Sequence, residues 1–153
     1  MMIKKILLIV IFIKLTSCGY VPINNINNNK DIAIQNIKII SGDRKLNMDL
    51  QRTLKRYQKN ISEKSFNIYI NSNYEKKTIS KNTTGAATKY QLKATVNFEI
   101  FYNGIKNNAV FIETFNIDHS SDDFENRNYE NTVKENFANS ISEKLIFKML
   151  SLL

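Results

Sequence analysis

The chain is short of most residues on which catalytic and metal chemistry depends. In 153 residues it has one cysteine, one histidine, one proline, four glycines and no tryptophan. One Cys and one His leave too few groups for a Cys/His zinc site or a disulfide framework, and a single imidazole leaves little scope for a Ser-His-Asp triad. The glycines, Gly19, Gly42, Gly85 and Gly104, are scattered, so there is no glycine-rich phosphate loop. No apolar run reaches the ~20 residues that a membrane-spanning helix needs. What remains is an ordinary globular balance, 42% hydrophobic and 24% charged, and an excess of bases that gives a formal charge of +8. That charge suits an anionic partner. The abundance of Asn, Ile and Lys fits an AT-rich genome.

The N-terminus reads as an address. Lys4 and Lys5 precede the apolar run Ile6 to Ile13, and Leu15-Thr16-Ser17-Cys18 follows. A basic start, a short apolar stretch and small residues at its exit form a secretory signal peptide. The exit is similar to the lipobox of bacterial lipoproteins, in which the Cys becomes the acylated first residue of the mature chain. Residues 1–17 are therefore expected to be removed and Cys18 to carry lipid, which is more than the two signals that stable anchoring requires. Removal takes three lysines and no acid, lowering the formal charge from +8 to +5. Gly19 follows the Cys where no Asp stands, and in lipoproteins of this type that resemblance favours the outer membrane.

Residues 18–30, rich in Asn with Pro22, read as a tether, and residues 31–153 as a single domain. Ile32 to Ile40 predicts a first strand. Asp43 is placed to cap a helix in which Leu46, Leu50, Leu54 and Tyr57 form the apolar stripe. Phe66, Ile68 and Ile70 alternate with polar residues as a second strand, and Ser72 to Thr88 reads as a polar connection. From Tyr90 to Tyr102 every second residue is apolar, which predicts a long half-buried strand. Asn103-Gly104 supplies a hairpin turn into a fourth strand over Ala109 to Ile117, with Phe111, Phe115 and Ile117 on one face. Ser120 to Asn128 reads as an acidic loop. Tyr129, Val133, Phe137, Ile141, Leu145 and Met149 then mark a long amphipathic helix capped by Asn128. The order β-α-β-β-β-α predicts an α+β two-layer sandwich, a four-stranded, mostly antiparallel sheet with both helices on one face.

No active site emerges, and no cofactor or metal is implied. His119 stands alone beyond the fourth strand and reads as a surface residue. Asp122, Asp123 and Glu125 lack the glycine and terminal Glu of a calcium loop. No paired carboxylates present themselves for a hydrolase. The strand aromatics fall on apolar faces, so they read as core rather than as a base-stacking platform, and no nucleic-acid partner is expected.

The lipobox, the run Cys18-Gly19-Tyr20-Val21-Pro22 and the element order together resemble the LPS-assembly lipoprotein family, LptE, also called rare lipoprotein B. Asp43-Arg44-Lys45-Leu46 through Leu50 and Leu54 is similar to that family's first helix, and Tyr90, Leu92 and Ala94 to the opening of its central hairpin. The final helix departs, being Asn- and Lys-rich where relatives tend to be Ala-rich. The resemblance implies a non-enzymatic lipoprotein on the periplasmic face of the outer membrane. It would plug the LptD β-barrel, assist its assembly and contact lipopolysaccharide. Lys76, Lys77, Lys81 and Lys89, clustered in sequence, are candidates for lipid A phosphates, or they simply keep a loop solvated. The alternative is an accessory lipoprotein of another envelope machine, such as an ABC-type transport system.

Overall fold

The computed structural model describes residues 32–58 and 65–153, so Cys18, the leader and the tether lie outside the described residues. In it the alternating stretch that ends at Tyr102 is an inner strand of a four-stranded sheet. The elements are β1 (Ala33–Ser41), α1 (Arg44–Lys55), β2 (Ser65–Lys81), β3 (Ala87–Tyr102), β4 (Ile105–Asp118) and α2 (Asp123–Leu150). Spatial order follows chain order, β1-β2-β3-β4. The β1–β2 pair, separated by α1, is parallel, and the two hairpins are antiparallel. The expected α+β sandwich in β-α-β-β-β-α order is the observed architecture.

Local chemistry explains the element ends. The Asp43 carboxylate accepts the Leu46 N–H at 2.8 Å and caps α1. Asn103 (φ 49°) and Gly104 (φ 76°) both take the left-handed conformation, which a two-residue hairpin turn requires, and β4 starts immediately after them. Gly42, at φ 117°, brings the chain so close to β2 that an added Cβ would lie 2.0 Å from the Ser72 carbonyl oxygen.

Two expected connections are regular structure. The polar stretch from Ser72 is strand to Lys81, and only Asn82 to Ala86 turn between β2 and β3. Its side chains still alternate: Ser72 is buried and Tyr74 half-buried on the helix face, while Asn73, Glu75 and Lys77 are exposed. Pairing with β3 carries it, since Tyr74 opposes Ala94 and Lys76 opposes Leu92. Likewise α2 starts at Asp123 rather than after Asn128. Asp122 is its cap, accepting from Phe124 N–H at 2.7 Å and Glu125 N–H at 3.2 Å. The acids read as loop charges, Asp123 and Glu125, favour the positive end of the helix.

One core lies between the layers. Phe66, Ile68 and Ile70 of β2 and Leu92, Val96, Phe98 and Ile100 of β3 meet Leu46, Leu50 and Leu54 of α1 and Phe137, Ile141 and Leu145 of α2. Each such side chain contributes about 1.5–3 kcal/mol by leaving water. Phe66 and Tyr102 stack at 4.6 Å. Two aromatics of the expected apolar faces are exposed: Tyr129 lies a turn outside the core on α2, and Phe115 lies on the edge strand.

Candidate functional site

Charged groups converge where the start of α1, the middle of β2 and the first half of α2 meet. Lys134, 9% exposed, donates to Asp43 Oδ2 at 3.1 Å and lies 3.6 Å from Glu130 Oε1. Its ammonium sits 3.9 Å from the centre of the Tyr74 ring. Lys76 donates to the other Glu130 oxygen at 2.9 Å and lies 4.6 Å over the Tyr90 ring. Burial alone raises the Glu130 carboxyl. The hydrogen bond from Lys76, the nearby Tyr74 hydroxyl and the charges of Lys76 and Lys134 outweigh it and hold the group below the usual carboxylate range. The Tyr74 phenol is pushed up, first by burial and then by the Glu130 and Asp43 charges. Its hydroxyl lies toward Glu130 but completes no hydrogen bond of good geometry.

A second network joins the helices. Asp49, buried on α1, takes both Lys45 (2.9 and 2.7 Å) and Arg52 (3.1 Å), and Arg52 reaches Glu135 of α2 at 3.0 Å. Thr53 donates to Asn139 at 3.0 Å. Glu113 of β4 faces α2 and accepts from Ser140 and Lys144. Burial raises its carboxyl, and these two bonds with the Lys144 charge bring it below the ordinary range.

The four lysines singled out by sequence do not form one patch. Lys76 faces the helices and is committed to Glu130. Lys89 pairs with Asp118 at 3.2 Å with both side chains exposed. Lys77 and Lys81 are exposed and make no ion pair among the described residues. Lys77 stands on the open face opposite Gln91, two residues along β3 from Lys89 in one direction and from Lys93 in the other. The cluster around Lys134 was missed by sequence reasoning, which placed Asp43 only as a helix cap. The Glu130–Lys134 spacing of one helical turn was the available signal, but Tyr74 lay in a stretch read as a connection.

The open face carries Asn and charged side chains over most of its area, with an Asn36–Asn67 bond at 2.8 Å and Ser41–Asn71 at 2.7 Å. His119 is exposed, meets the Tyr90 ring edge-on at 5.6 Å and borders a shallow depression of about 360 Å³ with Glu125 and Tyr129. No group of three or more potential metal ligands occurs among the described residues. No described helix is long and apolar enough to cross a membrane.

Comparison with solved structures places this arrangement. Rare lipoprotein B from Shewanella oneidensis superposes with a TM-score of 0.57 over 77% of this chain and 96% of its own, at 16% identity. The chain has the rare lipoprotein B fold. A minor lipoprotein from Acinetobacter baumannii matches with a TM-score of 0.53 at 14% identity, over 74% of this chain and 88% of its own. A putative lipoprotein from Caulobacter crescentus matches with a TM-score of 0.51 at 12% identity, over 76% of this chain and 88% of its own. At these identities the likeness to rare lipoprotein B is one of fold. No family model matches the chain, and no curated protein matches it in sequence.

Proposed function

We propose that this protein is an LptE-like lipoprotein, acylated at Cys18 and held at the periplasmic face of the outer membrane. There it plugs and assists the assembly of an LptD-like β-barrel that carries lipopolysaccharide to the outer leaflet. The observation that carries the reading is the rare lipoprotein B fold following a lipobox-like stretch in the same chain. The open face supports it, because its polar side chains suit the polar lumen of a wide outer-membrane barrel. The role is one of binding and not of catalysis.

Direct contact with lipopolysaccharide belongs to the same reading. Lys77 and Lys81, exposed and without a carboxylate partner among the described residues, are the members of the lysine set that can meet phosphate at no cost to an existing pair. Lys76 and Lys89 would first have to leave Glu130 and Asp118.

The test is affinity purification of the full-length chain, tagged after Leu153, from detergent-solubilised outer membrane, with mass spectrometry of what accompanies it. A stoichiometric, heat-modifiable β-barrel of several hundred residues is the expected result. Recovery alone, or with inner-membrane transport subunits, refutes the barrel reading in favour of an accessory lipoprotein of another envelope machine. In parallel, Cys18→Ala abolishes acylation, and a variant that still takes up labelled fatty acid refutes the anchoring.

A further inference from the structure

Among the described residues the outer edge of β4 is unpaired in the sheet, and the residues along it are complementary to themselves. β4 is the last strand, and its ladder with β3 runs from Tyr102↔Ile105 to Lys89↔Asp118 without a register shift. His119 N–H donates to the Thr88 carbonyl at 2.9 Å. In an antiparallel ladder this parity commits the backbone groups of the odd-numbered β4 residues to β3, and those of the even-numbered residues aim out of the sheet. Edges of this length are ordinarily guarded by proline, bulges or inward charges. β4 has no proline, its ladder has no bulge, and its lysine lies near its start. Between Ala109 and Phe115 the one charge, Glu113, faces α2 and is held by Lys144. Val110 and Ile112 stand 56% and 54% exposed on the open face.

We propose that this edge pairs with the same edge of a second copy, antiparallel about Ile112, to make one eight-stranded sheet. In that register Ile112 meets Ile112, Val110 meets Thr114 and Asn108 meets Asn116. Lys106 meets Asp118 at both ends. Every one of these positions points its backbone outward, so each pair exchanges both ladder bonds. Lys106 already pairs with Glu99 at 2.8 Å, and Asp118 with Lys89 at 3.2 Å. Joining the copies therefore lines up charges of alternating sign across the seam, Glu99, Lys106, Asp118 and Lys89. Any slip along the edge separates Lys106 from Asp118, which selects the register. The layers also fit. Two helices ~10 Å apart cover four strands spaced ~4.8 Å, so α2 need not overhang the edge. The stripe of α2 that binds Glu113 through Ser140 and Lys144 continues one turn on to Phe147, 58% exposed, which the second copy would cover. This pairing does not rest on the barrel reading.

Cysteine placement on the exposed face tests it in the full-length detergent-solubilised chain with a short bismaleimide, the chain bearing only Cys18 giving the baseline. Ile112→Cys is expected to cross-link to itself at twice the chain mass. Asn108→Cys and Asn116→Cys are each expected to stay monomeric alone and to cross-link when mixed. Lys106→Glu is expected to weaken the dimer at least ~10-fold in sedimentation equilibrium, and adding Asp118→Lys to restore it. All these side chains are exposed, and circular dichroism identical to the parent confirms that each variant folds. An Ile112→Cys chain that remains monomeric, self-cross-linking of Asn108→Cys, or Ile112→Cys captured only by a different protein in outer membranes would each overturn the proposal.

Discussion

Replacing Lys134 by Met removes one charge from the junction of the two helices and leaves nearly the same apolar stem. The ammonium donates to Asp43 at 3.1 Å, lies 3.6 Å from Glu130 and covers the Tyr74 ring at 3.9 Å. A hydrogen bond between charged groups contributes about 1.5–3 kcal/mol, and a desolvated cation over an aromatic ring about 2 kcal/mol. Against these stands the desolvation of the ammonium, which the Met chain does not suffer. Glu130 keeps Lys76, but Asp43 is left with one carboxylate oxygen unpaired beside the helix it caps. The balance is a loss of about 2–4 kcal/mol. Lys76→Met, at a side chain one-third exposed, is expected to cost about 1 kcal/mol or less.

Urea unfolding at pH 7 reads both numbers. With an m-value near 1.5 kcal/mol/M, ordinary for a small domain, Lys134→Met lowers the midpoint by about 1.3–2.7 M at unchanged m. A midpoint within about 0.3 M of the parent, or above it, refutes the reasoning. It would mean that desolvation cancels the attraction and that the junction is held by its apolar neighbours. A double-mutant cycle with Asp43→Asn localises the effect and should show a coupling above about 1 kcal/mol.

Other outcomes follow from the same contacts. Glu113 and Glu130 are held below their unfolded value of 4.5, so their contribution is complete above that pH and is lost as pH falls through the lower folded values. Acid unfolding should therefore begin below about pH 4.5, with a shallower slope in Glu113→Gln. Tyr74 has the opposite sign: its pKa is raised from 10.0, so stability is lost as pH climbs past that value. Tyr74→Phe should flatten the alkaline limb and cost little at pH 7, since the hydroxyl has no partner of good geometry. Gly42→Ala should lose ~3 kcal/mol or more by thermal melting, because its Cβ would meet the Ser72 backbone at 2.0 Å at a φ of 117°. Asp122→Ala should cost about 1 kcal/mol in the same assay by exposing the first N–H groups of α2.

How far the sequence carried depended on whether the signal was apolar. Leu46, Leu50 and Leu54, and Phe137, Ile141 and Leu145, announced their helices because each stripe had to be buried and lies in the core. The alternation from Tyr90 to Tyr102 announced β3 for the same reason. Elements held by their neighbours were harder to read. Ser72 to Lys81 is strand because β3 lies alongside, and its alternation is written in Ser, Tyr and Lys, which a search for apolar periodicity passes over. The start of α2 was likewise hidden, because Asp122, Asp123 and Glu125 look like a solvated loop until the helix dipole they complement is known.

The same limit governed the charges. Lys76, Lys77, Lys81 and Lys89 are neighbours in sequence, but a strand sends successive side chains to opposite faces. Lys76 is thus drawn into an ion pair over the core while Lys77 remains in water. Lys134, which is more deeply committed than either, stands more than 40 residues further on, and only the packing of α2 against α1 and β2 brings it to Asp43 and Tyr74. A basic patch is a property of a face, so a run of lysines predicts one only after the strand beneath it has been found.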